Sequence, residues 1–411
     1  MQTEWDLVVI GGGAAGFFGA LTFADAAPHS RVLICERGSR TLAKVAISGG
    51  GRCNVTHHCF DPRQLSGGYP RGGRALIAAF HRWQASDTVE WFAEHGVELK
   101  TESDGRMFPV TDRSSTIVEC LEQCAAQAGI EIRTHFGIRS VTPEGDGFQL
   151  ETESGDFLKT QRVLLAAGGV KTESQRLSPG HALIPGVPSL FTFKIPDPLL
   201  AGLAGAVVTD TGIAIEAAGL KQRGPVLITH WGLSGPAVLR LSAWGARWIH
   251  DAANTFTVTV DWLPTLTGAH IAKRFVRARK EWHRRQVSTT SPFEAIPARL
   301  WERLVGDTKT WNVWSRTDEL MLTERLKSLS LNVTGKSTHK EEFVTAGGIP
   351  LPEVEMKTME SRLVPGLHFA GETLDIDGIT GGFNFQAAWT TGRLAGLAIA
   401  DAIQKSRRER K

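Results

Sequence analysis

Leu7-Val8-Val9-Ile10 runs straight into Gly11-Gly12-Gly13-Ala14-Ala15-Gly16, and the fold can be read outward from that junction. The apolar run predicts a short buried strand, and the glycines after it follow the spacing G-x-G-x-x-G. Small residues at Ala14, Ala15, Gly16, Gly19 and Ala20 predict a helix lying close against the strand, continuing to about Ala27 before Pro28. A second strand, Arg31-Val32-Leu33-Ile34-Cys35, ends at Glu36, twenty positions after Gly16. Strand, turn, helix, strand and acid in this register form a dinucleotide-binding unit. Gly11 makes the tight turn, Gly13 lets a pyrophosphate approach the backbone, and Gly16 allows close helix–strand packing. The free N–H groups at Ala14 and Ala15 face the phosphate, while Glu36 accepts from the hydroxyls of the adenosine ribose. Glu4 and Asp6 stand where a signal peptide carries basic residues, and a glycine-rich run makes a poor spanning helix, so neither a leader nor a membrane span is expected.

Four hundred and eleven residues with 42% apolar and 22% charged content describe a globular chain of two or three domains. A net charge of +3 does not by itself argue for a polyanionic partner. Five cysteines, an odd number, point to a reducing cytoplasm. Cys120 and Cys124 are one helical turn apart but lack a companion His or Cys pair, so core packing is expected and no metal site. Twelve tryptophans stand beside a single tyrosine, and such large rings either line a site for a flat ligand or fill a core.

Beyond Glu36 and Arg37 comes Lys44-Val45-Ala46-Ile47-Ser48-Gly49-Gly50-Gly51-Arg52-Cys53-Asn54-Val55-Thr56. Three consecutive glycines let the backbone approach a ligand closely, and Lys44, Ser48, Arg52 and Asn54 offer hydrogen bonds around them. With the amino-terminal unit, this stretch resembles the YhiN/BaiN-type flavoproteins, FAD-dependent oxidoreductases within the glutathione-reductase-like fold. The resemblance extends along nearly the whole chain. Gly105-Arg106-Met107-Phe108-Pro109 resembles the family's "GRxFP", Thr229 to Pro236 matches a further segment, and Ala166-Ala167-Gly168-Gly169 resembles its "ATGG" with Ala167 for Thr. The resemblance implies FAD as cofactor, with Ser48 to Asn54 near the pyrophosphate and flavin and Gly371-Glu372 at the ribityl chain. No catalytic base stands out; Arg52 and Cys53 are the catalytic candidates near the flavin, with a structural role for Cys53 as the alternative. Asp377, Gly381, Gly382, Phe383 and Asn384 fall where such proteins aim a helix N-terminus at the flavin N1/C2=O edge, where negative charge develops on reduction. Only Val170 to Gly180 separate Gly169 from His181, a shorter stretch than in most of the family.

Other elements follow from periodicity. Helices are expected over 74–96, over Thr116 to Ala128 with N-cap candidates at Thr111 to Ser115, and from Phe383 onward; Arg407 to Lys411 reads as a frayed tail. Strands are expected near 130–133, 148–152, 162–169, 191–195, 205–217, 224–229, 255–260, 331–334, 342–346 and 364–372. His230 and Ser234 lack a G-x-S-x-G elbow and a paired acid, so they read as a turn and helix cap. Lys273, Arg274, Arg277, Arg279, Lys280, Arg284 and Arg285 crowd thirteen positions, with Trp282, Trp301, Trp311 and Trp314 after them. They predict a helical subdomain with a basic face able to meet RNA, its tryptophans available for stacking.

The fold class expected is α/β: a split FAD-binding Rossmann-like domain over 1–189 and 347–411, a β-rich insert over 190–262 and 331–346, and the helical basic subdomain over 263–330. With one dinucleotide fingerprint, NAD(P)H would be a transient electron donor. The function expected is hydride transfer between FAD and a substrate. The resemblance leaves that substrate open among amines, conjugated enones and uridine in ribosomal RNA; an RNA-binding role without turnover is the alternative.

Overall fold

The computed structural model describes residues 4–169, 172–336 and 344–409. The chain forms two compact units, Met1–Val187 with Lys340–Lys411, and Pro188–His339. In the first, a sheet runs in the order 131–133, 32–35, 4–10, 157–165, 367–369, continuing antiparallel to 360–361 and 354–355. Its five central strands are parallel. Strands 32–35 and 367–369, the stretch from Trp5 to Ile10 and the end of 157–165 are largely apolar runs buried on both faces, as parallel strands require, whereas the edge strand 131–133 is partly exposed. Strand 4–10 lies between 32–35 and 157–165, so the strand order reverses at Ile10 and Leu165, and ligands of open parallel sheets bind at such a switch point.

Helix Ala14–Ala26 packs against the C-terminal helix Phe383–Glu409 through a row of small residues. A Cβ on Gly392 would lie 2.5 Å from the Ala15 carbonyl, and one on Gly396 would lie 2.5 Å from that of Gly19. The two ends of the chain therefore close one core, which is why the unit is split in sequence. The expected tail is corrected by this packing: the helix continues to Glu409, and Arg407 bonds Asp6 at 2.9 Å. Arg410 and Lys411 lie outside the described residues.

Three further expectations change. The helix expected over 74–96 is two, Gly73–Phe80 and Ala85–Glu94, because the chain breaks at Gln84, whose backbone is extended. Helix Ser114–Gln127 starts after Arg113 with no side-chain cap, and the Ser114 hydroxyl instead reaches the Ala46 carbonyl. The strand expected from Glu342 is described only as Val344–Gly348; Glu342 and Phe343 lie outside the described residues.

The second unit is an antiparallel sheet in the order 329–333, 256–261, 207–215, 220–228, 232–234, 193–194, 335–336. Helices Gly268–Glu281, Ala298–Val305 and Arg316–Lys327 belong to this unit rather than forming a third. Leu326 is fully buried, its carbonyl accepts from Trp262 N, and Lys327 pairs with Asp261 at the end of strand 256–261.

Candidate active site

The fingerprint turn is built as its spacing predicts. Gly11 has φ +111, and a Cβ there would lie 2.3 Å from the Ala166 carbonyl; a Cβ on Gly16 would lie 2.0 Å from the Gly11 carbonyl. Gly13 is different. Its backbone is extended and a Cβ would meet nothing within 4 Å, so its missing side chain leaves open space at the start of a helix that no side chain caps. Glu36 anchors the turn, taking Gly12 N–H at 2.9 Å on one carboxylate oxygen and Gly38 N–H at 2.6 Å on the other. Each oxygen keeps a lone pair for a ribose hydroxyl. Arg37 is exposed beside it.

Leu42 N–H donates to the Gly12 carbonyl and starts the helix Ala43–Gly51, which the sequence had suggested only as a loop. That helical turn brings the Lys44 ammonium to 2.5 Å from Glu372, whose other oxygen accepts from Thr345 N at 2.7 Å. Gly371 lies against Ala15, and Gly168 against Lys44 and Glu372, so fingerprint, Lys44 and Glu372 share one end of the sheet. At Ser48, Gly49 and Gly50 the backbone leaves helical geometry; Gly49, Gly50 and Gly51 all have positive φ and are exposed. This is a close-approach surface such as a pyrophosphate or flavin needs. The Ser48 hydroxyl itself turns back to the Val45 carbonyl.

The catalytic candidates fare otherwise. Cys53 is fully buried, and burial pushes its thiol up to about 12, so it is a packed thiol and no nucleophile at neutral pH. Arg52 bonds Glu102 at 2.6 Å and covers the Phe108 ring at 3.9 Å, which ties the glycine loop to the Arg106–Pro109 strand. Asn54 is also a strut: with its amide turned to suit its neighbours, the oxygen accepts from Gly382 N–H at 3.0 Å and the nitrogen donates to the Thr56 and Met107 carbonyls.

The start of the C-terminal helix is held from several sides. Asn384 clasps Gly378, accepting its N–H at 2.8 Å and donating to its carbonyl at 2.9 Å. Tyr69, the chain's one tyrosine, is buried and donates to the Phe383 carbonyl at 2.6 Å. His57 stacks on Phe383 at 4.7 Å and bonds the Gly381 carbonyl, with burial lowering its proton affinity. Asp377, fully buried, forms a two-pronged ion pair with Arg71. Tyr69, Arg71 and His57 carried no sequence signal, since they act from turns and a two-residue strand far from their partners in the chain.

His181 closes the shortened segment. Its ring bonds Glu353 at 2.7 Å and the Ser361 hydroxyl at 2.8 Å, a Ser–His–Glu relay. Ser361 Oγ already accepts from Leu363 and Val364 N–H groups, so the relay braces a turn and does not activate a nucleophile. Of the shortened stretch, Val170 and Lys171 lie outside the described residues. In the second unit, His230 is exposed, and Ser234 pairs with the Thr192 hydroxyl instead of capping helix Pro236–Trp244, whose N-cap is Gly235. Among the described residues no cluster of three His, Cys, Asp or Glu could hold a metal, and no helix is long and apolar enough to cross a membrane.

Six cations of the 273–285 segment are exposed, but Arg279 is not available to a ligand: it bonds Glu319 at 2.5 Å and the Trp314 carbonyl at 2.8 Å. Trp301, Trp311 and Trp314 are buried, and Trp282 packs on Trp311, so the expected stacking platform is core. The basic run also outlasts its helix, which ends at Glu281.

The family described as "HI0933-like protein Rossmann domain" matches residues 5–398. The chain belongs to that family. It is a family of FAD-dependent oxidoreductases, as the resemblance of the sequence implied. The chain is 30% identical over 405 residues to a ribosomal RNA dihydrouridine synthase of Escherichia coli, covering 94% of this chain and 96% of that protein. It is 29% identical over 412 residues to a 3-dehydro-bile acid delta(4,6)-reductase of Clostridium scindens, covering 96% and 98%. Among solved structures, the 3-ketosteroid delta1-dehydrogenase of Sterolibacterium denitrificans aligns over 97% of this chain and all of its own, at 12% identity and TM-score 0.52, a likeness of fold alone.

One titration belongs to this unit. His368, on the strand leading to Gly371, is buried, and burial lowers it to about 4, against the pull of Glu360. The unfolded chain therefore binds the proton more readily, so this group's contribution is complete above about pH 6.5 and is lost as pH falls toward 4, amounting to at most about 3 kcal/mol. Urea midpoints should fall over that window, and His368→Gln should flatten the fall; an unchanged slope in the variant would remove the assignment.

Proposed function

We propose that the protein is an FAD-dependent reductase, recharged by NAD(P)H, that saturates a carbon–carbon double bond conjugated to a carbonyl, with uridine in ribosomal RNA as the substrate. The observation that carries this is the pair of near full-length relatives. A dihydrouridine synthase and a delta(4,6)-reductase of a keto bile acid differ in substrate size, yet both names describe hydride addition to a ring double bond polarised by a carbonyl. FAD supplies the hydride carrier when bound.

The chain's residues fit that cofactor. Gly11 and Gly16 shape the turn, the open space at Gly13 admits the pyrophosphate, and Glu36 has free lone pairs for the ribose. Lys44 and Glu372 face a solvent-accessible end of the sheet, so the ammonium can turn to a phosphate while the carboxylate accepts from ribityl hydroxyls. Phe383 and Asn384 offer the unbonded N–H groups of a helix start, a positive end facing the developing charge. Asn384 acts there through its backbone, because its amide is committed to Gly378.

The bile-acid relative supports a second reading, reduction of a small enone. Both are tested by giving the FAD-loaded protein NADPH with either ribosomal RNA lacking dihydrouridine or a conjugated steroid ketone. Dihydrouridine formed at one position supports the first reading; turnover of the steroid alone replaces it with the second; neither product, with NADPH still reducing the flavin, defeats both.

A further inference from the structure

Within the second unit, an open cavity of about 430 Å³ is lined jointly by the turn at Gly202 and Leu203, by Ser288, and by helix Ala298–Val305 with the turn after it. That volume falls within the range of small-ligand sites, roughly 300–1,000 Å³. Among the described residues Leu203 is its one wholly apolar side chain, so a steroid skeleton would find no apolar wall to bury against. Its polar groups are partly uncommitted. Ser288 is 8% exposed, and its hydroxyl has no protein partner among the described residues, so it faces the cavity as a free donor and acceptor.

Charge favours an anion there. Arg303 donates to the Pro198 and Ala201 carbonyls, both at 3.1 Å, and so ties the turn to the helix. Arg299, one helical turn earlier, makes a single bond to the Gly202 carbonyl at 3.5 Å, and most of its N–H donors have no partner among the described residues. Asp307 is matched by Lys309 at 3.2 Å, whereas the exposed Glu302 has no ion-pair partner among the described residues. Two guanidiniums thus stand against one unmatched carboxylate. The cavity also continues the basic run. The Arg285 carbonyl accepts from Trp311 N and the Lys309 carbonyl from Val287 N, each at 3.0 Å, with Gln286 bridged antiparallel to Thr310. Ser288 and Thr308, the next residues on these two segments, both line the cavity. The exposed Arg285 is three residues from Ser288, at most about 10 Å, so the cations of 273–285 lead up to the opening.

A ligand that offers a phosphate to a guanidinium and hydroxyls to a carboxylate and a serine is a ribose phosphate. We propose that this cavity seats one ribose phosphate of the RNA substrate, its phosphate on Arg299 and its 2′-hydroxyl on Glu302. The proposal rests on the RNA reading above and adds the place where the strand is told from DNA. Anisotropy of fluorescein-labelled oligouridylate and oligodeoxyuridylate on the FAD-loaded protein, across a salt series, tests it. Wild type should hold the ribose oligomer about tenfold more tightly, as expected for one hydrogen bond to a charged group. Glu302→Ala should remove that preference without weakening the deoxy oligomer. Arg299→Ser should lower the steepness of the salt dependence by about 0.7, as expected for one phosphate on a single strand. Both residues are exposed, so thermal midpoint and FAD content should stay at wild-type values. Equal binding of the two oligomers by wild type, with Glu302→Ala tightening both, would mean that the acid only repels a polyanion and would overturn the assignment, as would failure to bind either at low salt. Competition by uridine 5′-monophosphate at the oligomer's own affinity would reassign the cavity to a free nucleotide. The RNA reading is decided separately, by the dihydrouridine assay above.

Discussion

Gly16→Ala should cost the protein its dinucleotide. The added Cβ would lie 2.0 Å from the Gly11 carbonyl and 3.1 Å from Val9 Cγ1, and the first contact is with backbone, which cannot swing aside. The helix start must move away from the turn, taking with it the N–H groups of Ala14 and Ala15 proposed to meet the phosphate. Loss of two hydrogen bonds to a charged group, at about 1.5–3 kcal/mol each, lowers FAD affinity by about 10²–10⁴-fold. Gly13→Ala separates ligand from fold, because its Cβ meets no protein atom within 4 Å. That variant should retain the apoprotein's thermal midpoint and still bind FAD more weakly. Wild-type affinity in Gly13→Ala, measured by titrating apoprotein with FAD, would show that the pyrophosphate does not pass there.

Arg71→Met should be the most destabilising single change outside the fingerprint. It leaves the carboxylate of Asp377 fully buried without its guanidinium, and breaking a buried pair from one side costs about 3–5 kcal/mol. Arg71 and Asp377 also form an isolated backbone bridge, and Ile379 N–H reaches the Gly68 carbonyl nearby, so the pair pins the loop that aims the C-terminal helix. Urea denaturation should show the midpoint falling at constant slope. Arg71→Met with Asp377→Leu should recover much of the loss, since an apolar pair of similar volume carries no desolvation penalty. A loss below about 1 kcal/mol in Arg71→Met would mean that the pair contributes no more than a surface ion pair does.

The parts of the site that were legible in the sequence are those whose chemistry is local. Gly11 to Gly16 and Glu36 sit within one strand–helix–strand unit, where spacing in sequence is spacing in space. The return of the chain at 367–369 and the helix from Phe383 were legible for a related reason, since apolar runs that end in glycines mark the ends of buried parallel strands. What could not be read is which polar groups the protein consumes itself. Asn54 and Asn384 have side chains suited to a flavin, yet each is committed to backbone groups near the helix start. Between a reactive and a structural Cys53 the sequence left the choice open, and its burial favours the structural one. The tryptophans after the basic run sit in amphipathic helices and turns whose inner faces appear only when the unit is folded, whereas Trp231 is exposed by a turn that pattern alone cannot orient.

The cofactor released from the purified protein decides whether the site built around Gly13, Glu36, Lys44 and Glu372 holds FAD. The protein should be yellow and, on heat denaturation, release one equivalent of FAD identified by chromatography and mass. One equivalent of FMN, or no flavin after reconstitution of the folded apoprotein with excess FAD, would contradict it.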